Sequence, residues 1–488
     1  MIDTNAIRKR VLDLAIQGKL TIQNDNESSV DDIYKIKIEK ERLVADKIIK
    51  KPAILKPISE EEKVFEIPSN WSWIRLDELC KMITDGTHKT PNYQNEGVPF
   101  LSVKNISSGK FDLSDIKYIS TEEHQELIKR CNPEKNDILV CRIGTLGKAI
   151  TISIDLEFSI FVSLGLLKPV YKSLSEYIVR VINSGYGIEW IQENKAGGAM
   201  HTYKINLDSL RMLPVPFPPI SEQCEIVARV DEIFKQLDII DGLQQKYAID
   251  IDILKGKLID AGIQGKLTEQ LPEDGTAEEL YTNIQEEKTK LIKEKKIKKE
   301  KTLAELSEEE IPFEIPTNWK WVRLGDVCSK ISSGNTPAGG SKGGAYTTEG
   351  FCFFREQNIY NDGIHNDGMV YITEELLNTR ENSTVLPKDI LLNITGGSIG
   401  RCALIPDDFS RGSINQHILI IRVVDPRTRF YVHKCLCSPY YQRLIMGNVV
   451  GDKDGFSAGR CKNTLIPLPP IAEQKRIVDK IDELLFLI

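Results

Sequence analysis

The sequence predicts an α+β fold in which one scaffold occurs twice. Two pseudo-repeated α+β modules are separated by long antiparallel coiled-coil helices, and the chain closes on itself in a circular, pseudo-two-fold organisation. Three observations predict this. Blocks of sequence return in the same order about half a chain later, a heptad seam occupies the middle of the chain, and short apolar runs broken by Gly, Asn and Asp fill the segments between the blocks.

Residues 16–21 and 263–268 both read IQGKLT, and FEIPSNWSWIRL at 65–76 returns as FEIPTNWKWVRL at 313–324 with nine of twelve positions identical. PFPPISEQ at 216–223 returns as PLPPIAEQ at 467–474. Residues 4–20, TNAIRKRVLDLAIQGKL, match residues 251–267, IDILKGKLIDAGIQGKL, so half of a second long helix is expected from each end of the chain. In order, the elements are an N-terminal helix (1–20), a polar helical arm (21–64), a first module (65–217), a central long helix (218–268), a second arm (269–312), a second module (313–468) and a C-terminal helix (469–488).

Each element has a local reason. In the central helix Ile226, Val230, Ile233, Leu237, Ile240, Tyr247, Ile251, Leu254 and Leu258 recur in steps of four and three, with one gap at Gln244. That seam predicts packing against another long helix, and about 40 residues at ~1.5 Å each make a rod of about 60 Å. Pro218 and Pro219 place its start near Ser221. The N- and C-terminal helices are expected to lie antiparallel along it. The arms are rich in Lys and Glu with a sparse apolar stripe (Ile33, Ile36, Leu43, Ile48; Leu280, Ile284, Leu291), which reads as a solvated helix or linker, or as a helix that docks on a partner. Trp71, Trp73, Trp319 and Trp321 are expected to anchor a core at the entry to each module rather than to stack on bases. FLSV, DILV, ITIS, DILLNI and HILIIRVV read as short strands. Matching blocks around dissimilar interiors (77–215 and 325–466) favour one scaffold presenting two different recognition surfaces over two diverged copies with one role.

Composition limits the function. With 41% hydrophobic and 28% charged residues among 488, the chain is ordinary globular protein with room for about two to four domains. No run approaches the ~18 apolar residues of a membrane span, and the first twenty residues carry no apolar signal core, so no membrane partner and a cytoplasmic location are expected. A net charge of −7 argues against coating nucleic acid by charge alone. The ten cysteines form no CxxC pair, and the one close pair, Cys435 and Cys437, is read as having no histidine at metal-ligand spacing. They read as small core residues, with no disulfide and no metal site expected.

Catalytic motifs are missing. The chain contains no P-loop, no GxGxxG after a convincing strand, and no Asn-Pro-Pro-Tyr type methyltransferase motif. Neither a catalytic residue nor a cofactor is therefore expected in this chain. Base-reading chemistry needs forked donors and acceptors, with Ser, Thr and Lys on phosphate. The first module offers Thr87, His88, Lys89, Thr90, Lys104, Asn105, Arg142, Thr145, His201, Tyr203 and Lys204. The second offers Asn335, Thr336, Arg355, Gln357, Asn358, Ser398, Asn415, Gln416, His417, Lys453 and Arg460. Residues 77–215 carry 16 basic and 17 acidic groups, and residues 325–466 carry 15 and 14, so neither module is basic enough to bind DNA tightly by itself.

The ordered set F-x-I-P-x-x-W-x-W (Phe65 to Leu76, Phe313 to Leu324), P-x-P-P-I-x-E-Q (Pro216 to Gln223, Pro467 to Gln474) and twofold IQGKLT resembles the specificity subunit of type I restriction-modification systems over nearly the whole chain. The resemblance implies that residues 65–217 and 313–468 are target recognition domains, each reading one half of a split double-stranded DNA sequence. It implies helices that fix the gap between the halves and dock two methyltransferase (M) subunits, which bind S-adenosylmethionine and methylate adenine. Two restriction/translocase (R) subunits would join for cleavage. The competing readings are a self-sufficient DNA methyltransferase and a coiled-coil scaffold without DNA binding.

Overall fold

The three repeated blocks meet at one buried carboxylate in each half of the chain. Glu222, 6% exposed, accepts hydrogen bonds from Trp71 Nε1 and Thr21 Oγ1 at 2.8 Å and from Gln23 Nε2 at 3.1 Å. Glu473 accepts from Trp319 Nε1 at 2.8 Å, Thr268 Oγ1 at 3.2 Å and Gln270 Nε2 at 2.9 Å. A carboxylate taken out of water needs its oxygens satisfied. Here the donors are the threonine of IQGKLT, the glutamine two residues after it and the first tryptophan of NWxW, and the acceptor comes from PPxxEQ, so each block is tied to the other two.

The computed structural model describes residues 1–488 except 25, 198–202, 302, 338–343 and 448–455. It divides into two units, Met1–Gln245 and Lys246–Ile488, and the helix Ile220–Ile263 passes from the first into the second. This helix begins one residue before the position that the prolines suggested.

In the first unit the strand Ser72–Arg75 pairs antiparallel with Pro214–Phe217, which closes the module where it began. Between them lie a four-stranded antiparallel sheet, in the order Cys80–Asp85, Leu164–Pro169, Ile138–Cys141, Ala149–Thr151, and a three-stranded sheet of Lys117–Ile119, Val98–Leu101 and Ser159–Ile160. The second unit repeats the plan. Lys320–Arg323 pairs with Leu465–Leu468, and a four-stranded sheet runs Cys328–Ser333, Ile418–Val423, Ile390–Asn393, Cys402–Leu404. A further sheet holds Val370–Ile372, Phe351–Phe354, Gly412–Ile414 and Thr384–Val385. Ile138–Cys141 and Ile390–Asn393 are buried along their whole length, which is why they read as continuous apolar runs rather than alternating ones.

The core of the first unit joins Val11, Leu12, Ala15 and Ile16 of the helix Thr4–Ile16 to Trp71, Ile74, the helix Ser175–Asn183, and Ile226 and Val230. Hydrogen bonds from Ile2 to Gln244, Thr4 to Asp241 and Arg8 to Asp238 and Phe234 run in opposite sequence directions, so this helix lies antiparallel on the long one. In the second unit Ile263 packs with Ile477, Val478 and Ile481 of the helix Ile471–Phe486, while Thr268 meets Glu473, again antiparallel. The expected half-helix pairing is therefore found in each unit.

The seam differs from expectation in its middle. Tyr247 is 62% exposed and Leu254 is also exposed, because the helix Ile471–Phe486 covers only the last turns of the long helix in this unit. The arms form the helices Ser29–Ala45 and Ala277–Lys293, and both fold back on their own unit. Ile36, Leu43, Leu280 and Ile284 are buried, and Lys40 and Lys288 donate to the backbone oxygens of Asp77 and Gly325 at 2.7 and 2.6 Å. Trp71, Trp319 and Trp321 are buried and Trp73 packs on Phe65 and Tyr186, as expected of anchors. Cys224 departs from the reading of cysteines as core residues: it is exposed on the outer face of the long helix.

Candidate nucleic-acid interface

The strand ends bring the candidate loops to one sheet edge. In the first module Asp85 pairs with Gly165 and Cys141 with Leu164, so Cys80–Asp85 and Ile138–Cys141 end where Leu164–Pro169 begins. Leu101 pairs with Ile160 beside them, Thr87 bridges Phe161, and Ile143 bridges Lys204. Loops around residues 86–90, 102–107, 142–148, 161–163 and 203–206 thus converge. In the second module Ser333 pairs with Leu419, Asn393 with Ile418 and Phe354 with Ile414, and the Phe456 amide donates to Ile394 O as the Ile205 amide donates to Arg142 O. The same five loop positions gather again.

Two devices hold the first of these loops in both copies. A Cβ on Gly86 would lie 2.0 Å from Ile160 O, and one on Gly334 would lie 2.2 Å from Ile414 O, so only glycine lets the loop cross its neighbouring strand. Arg130 donates to the backbone oxygens of Asp85 at 2.7 Å and Gly86 at 2.5 Å. Arg380 donates to the backbone oxygens of Asn335 and Ile414 and to Ser413 Oγ. The sequence reading passed over both arginines. Their signal was a shared L-x-x-R, Leu127 to Arg130 and Leu377 to Arg380, after the helices Thr121–Ile128 and Glu374–Asn378.

The predicted residues separate into outward-facing and load-carrying groups. His88, Lys89, Thr90, Lys104, Thr145, Tyr203 and Lys204 are exposed and Thr87 is half-buried in the first module. In the second, Asn335, Thr336, Gln357, Gln416 and Arg460 are exposed, and Arg355, Ser398 and His417 are half-buried. Thr336 donates to Gln416, and Thr395 Oγ1 lies 2.6 Å from His417 Nδ1, which links three loops of that edge. His201 and Lys453 lie outside the described residues.

Four candidates have other work. Arg142 is 7% exposed; it pairs with Asp85 and donates to Ile205 O at 3.1 Å. Buried Asn105 donates to Asp112 O and Asp115 O at 3.0 and 3.2 Å, and buried Asn358 donates to His365 O and Asp367 O at 3.0 and 3.2 Å. Each also accepts a backbone amide, from Ser102 at 2.9 Å and from Arg355 at 3.1 Å. Asn415 is buried against Glu356 at 2.7 Å. In this structure these four side chains hold loop structure, whereas the other described candidates face outward or are half-buried. Asp85 is the hub of the first edge, contacting Arg142, Arg130 and His88. Burial pushes its carboxyl up, but the Arg130 hydrogen bond and the Arg142 and His88 charges outweigh burial and hold it below the ordinary carboxylate range.

The cysteine reading also missed a convergence. His433 lies four residues before Cys437 on one helical face, and Cys402 meets both within 4.8 Å.

Comparison with known proteins bears on the whole arrangement. The family described as "Type I restriction modification DNA specificity domain" matches residues 68–246 and 316–486. The chain belongs to this family. The specificity subunit of type I restriction enzyme EcoAI from Escherichia coli is 25% identical, with 98% of this chain and 88% of that protein covered. The EcoEI specificity subunit, also from Escherichia coli, is 26% identical at the same coverage. A solved chain from "Structural basis underlying complex assembly and conformational transition of the type I R-M system" matches with a TM-score of 0.55 and 17% identity over 86% of this chain and 91% of that one, a likeness of fold. Each segment matched by the specificity-domain family begins at an NWxW block and contains one loop edge and one buried glutamate joint.

Proposed function

We propose that this chain is the non-catalytic DNA-reading subunit of a type I restriction-modification complex, reading a bipartite double-stranded target with one half-site per module. The observation that carries the reading is the recurrence of the same five loop positions at one sheet edge in two modules with equivalent joints and different side chains. Exposed Lys89, Lys104 and Lys204 supply phosphate contacts, and exposed Asn335, Gln357 and Gln416 supply the forked amides that suit adenine. Arg142, Asn105, Asn358 and Asn415 hold the loops that present them. Two methyltransferase subunits, binding S-adenosylmethionine, dock on the helical region and add phosphate contacts that the near-neutral modules lack. Two restriction/translocase subunits complete the complex. The helical region sets the gap between half-sites. No described helix is long and apolar enough to cross a membrane.

The test replaces residues 77–215 with the corresponding interior of another family member and maps methylated bases in cells that also carry the methyltransferase partner. One half of the methylated motif changes while the other half and the gap persist. Methyl transfer by the purified chain alone identifies instead a self-sufficient methyltransferase, and an unchanged motif leaves a scaffold without DNA reading.

A further inference from the structure

Among the described residues, the second module carries a cluster that the first lacks. Cys402 opens the strand Cys402–Leu404, and His433 and Cys437 lie on the helix Arg429–Cys437 packed against it. One ligand atom from each residue lies within 4.8 Å of the other two. Cys437 Sγ is 3.5 Å from His433 Nε2. Tetrahedral zinc, with bonds of about 2.3 Å to sulfur and about 2.0–2.1 Å to nitrogen, sets two such ligands about 3.5 Å apart.

The first module shows what this junction looks like without soft ligands. Ala149 pairs with Val140 as Cys402 pairs with Leu392, so Ala149 and Cys402 are equivalent. Buried Tyr177 and Tyr431 align the two helices, which puts Val179 at the place of His433 and Asn183 at that of Cys437. Asn183 closes the junction with its amide, donating to Ala149 O at 2.8 Å and accepting from Ala149 N at 2.9 Å. In the second module all three positions hold metal-binding residues, and the amide clamp is gone. The His433 Nε2–H donates instead to Cys402 O at 2.9 Å, and the Cys402 N–H goes to Asn361 Oδ1 at 2.9 Å. Cys402 and His433 are buried while Cys437, at the end of its helix, is half-buried.

We propose that Cys402 Sγ, His433 Nε2 and Cys437 Sγ bind a soft tetrahedral metal ion of the zinc class, with water in the fourth position. On binding, the two thiols give up their protons to solvent, and the imidazole shifts its single proton from Nε2 to Nδ1, releasing Cys402 O and freeing the Nε2 lone pair for the ion. The ion staples the helix to a strand that continues from the loop bearing Ser398, so it fixes the root of that loop. The consequence for DNA reading rests on the proposed function; the metal site does not.

The test uses the purified full chain, stripped of metal under reducing conditions and then given zinc or cobalt(II). The chain retains one zinc per molecule after desalting, shows a thiolate-to-cobalt charge-transfer band, and melts at a higher temperature with zinc. The variant Cys402→Ala, His433→Val, Cys437→Asn rebuilds the amide junction of the first module; it folds and retains no zinc. Cys437→Ser, a near-isosteric change, loses the cobalt band. Zinc retention by wild type no greater than that of the triple variant overturns the proposal. So does a Cys402–Cys437 disulfide in protein alkylated inside the cells before lysis. Neither readout uses DNA, so failure of the metal site and failure of the DNA reading are separable.

Discussion

Lys89, Lys104 and Lys204 present exposed side chains at the loop edge, while Arg142 lies buried against Asp85. Replacing each lysine with alanine should weaken DNA binding by the assembled complex and lower its salt slope by about one, without moving the melting temperature. Arg142→Ala takes from buried Asp85 one of its three charged partners, leaving Arg130 and His88, and removes the donor to Ile205 O, so it should cost the first unit about 1–3 kcal/mol, seen as a lower unfolding midpoint before any DNA is added. Glu62 gives a pH signature. The Arg75 hydrogen bond is the largest cause that brings its carboxyl down to about 2. Its folded pKa lies below the unfolded value of about 4.3, so the stabilisation is present above that value and is lost as pH falls toward about 2. Melting temperatures across this window should fall less steeply in Glu62→Gln than in wild type. Residue roles were only half legible in the sequence. Asn105 and Asn358 have the side chain that reads adenine, but whether an amide is spent on its own turn depends on carbonyls seven to ten residues away. Loop composition does not reveal that.

Elements were more legible, because their causes are local. The apolar runs became strands, the heptad seam became a helix, and the proline pair marked its start. The joint at Glu222 was present in the sequence only as three separate blocks. What joins them is a buried hydrogen-bonded carboxylate whose partners lie far apart in the chain. Glu222→Ala removes the acceptor of the Trp71 and Thr21 donors and should destabilise the first unit by about 2–4 kcal/mol, and Glu473→Ala should do the same to the second. Stepwise unfolding of full-length variants by urea checks which transition moves. The loop crossing at Gly86 makes a sharper prediction. Gly86→Val places a side chain against the Ile160 backbone and displaces the loop, so DNA recognition by the first module fails while the buried core keeps its helical and strand signature in circular dichroism.

On the scale of the whole molecule, duplication was legible because the blocks that build the joints are the ones that stayed alike. The interiors diverged at exposed loop positions, where hydrophobic packing imposes little. The metal-ligand cluster of one module and the amide clamp of the other show that divergence reached the supports as well. If equivalent joints present independent readers, an interior should keep its specificity when moved to the other module. The most direct test replaces residues 325–466 with a second copy of residues 77–215 and maps methylated bases in cells that carry the methyltransferase partner. The account predicts a motif built from the first half-site twice. Persistence of the original second half-site, from a folded and assembled complex, would contradict it.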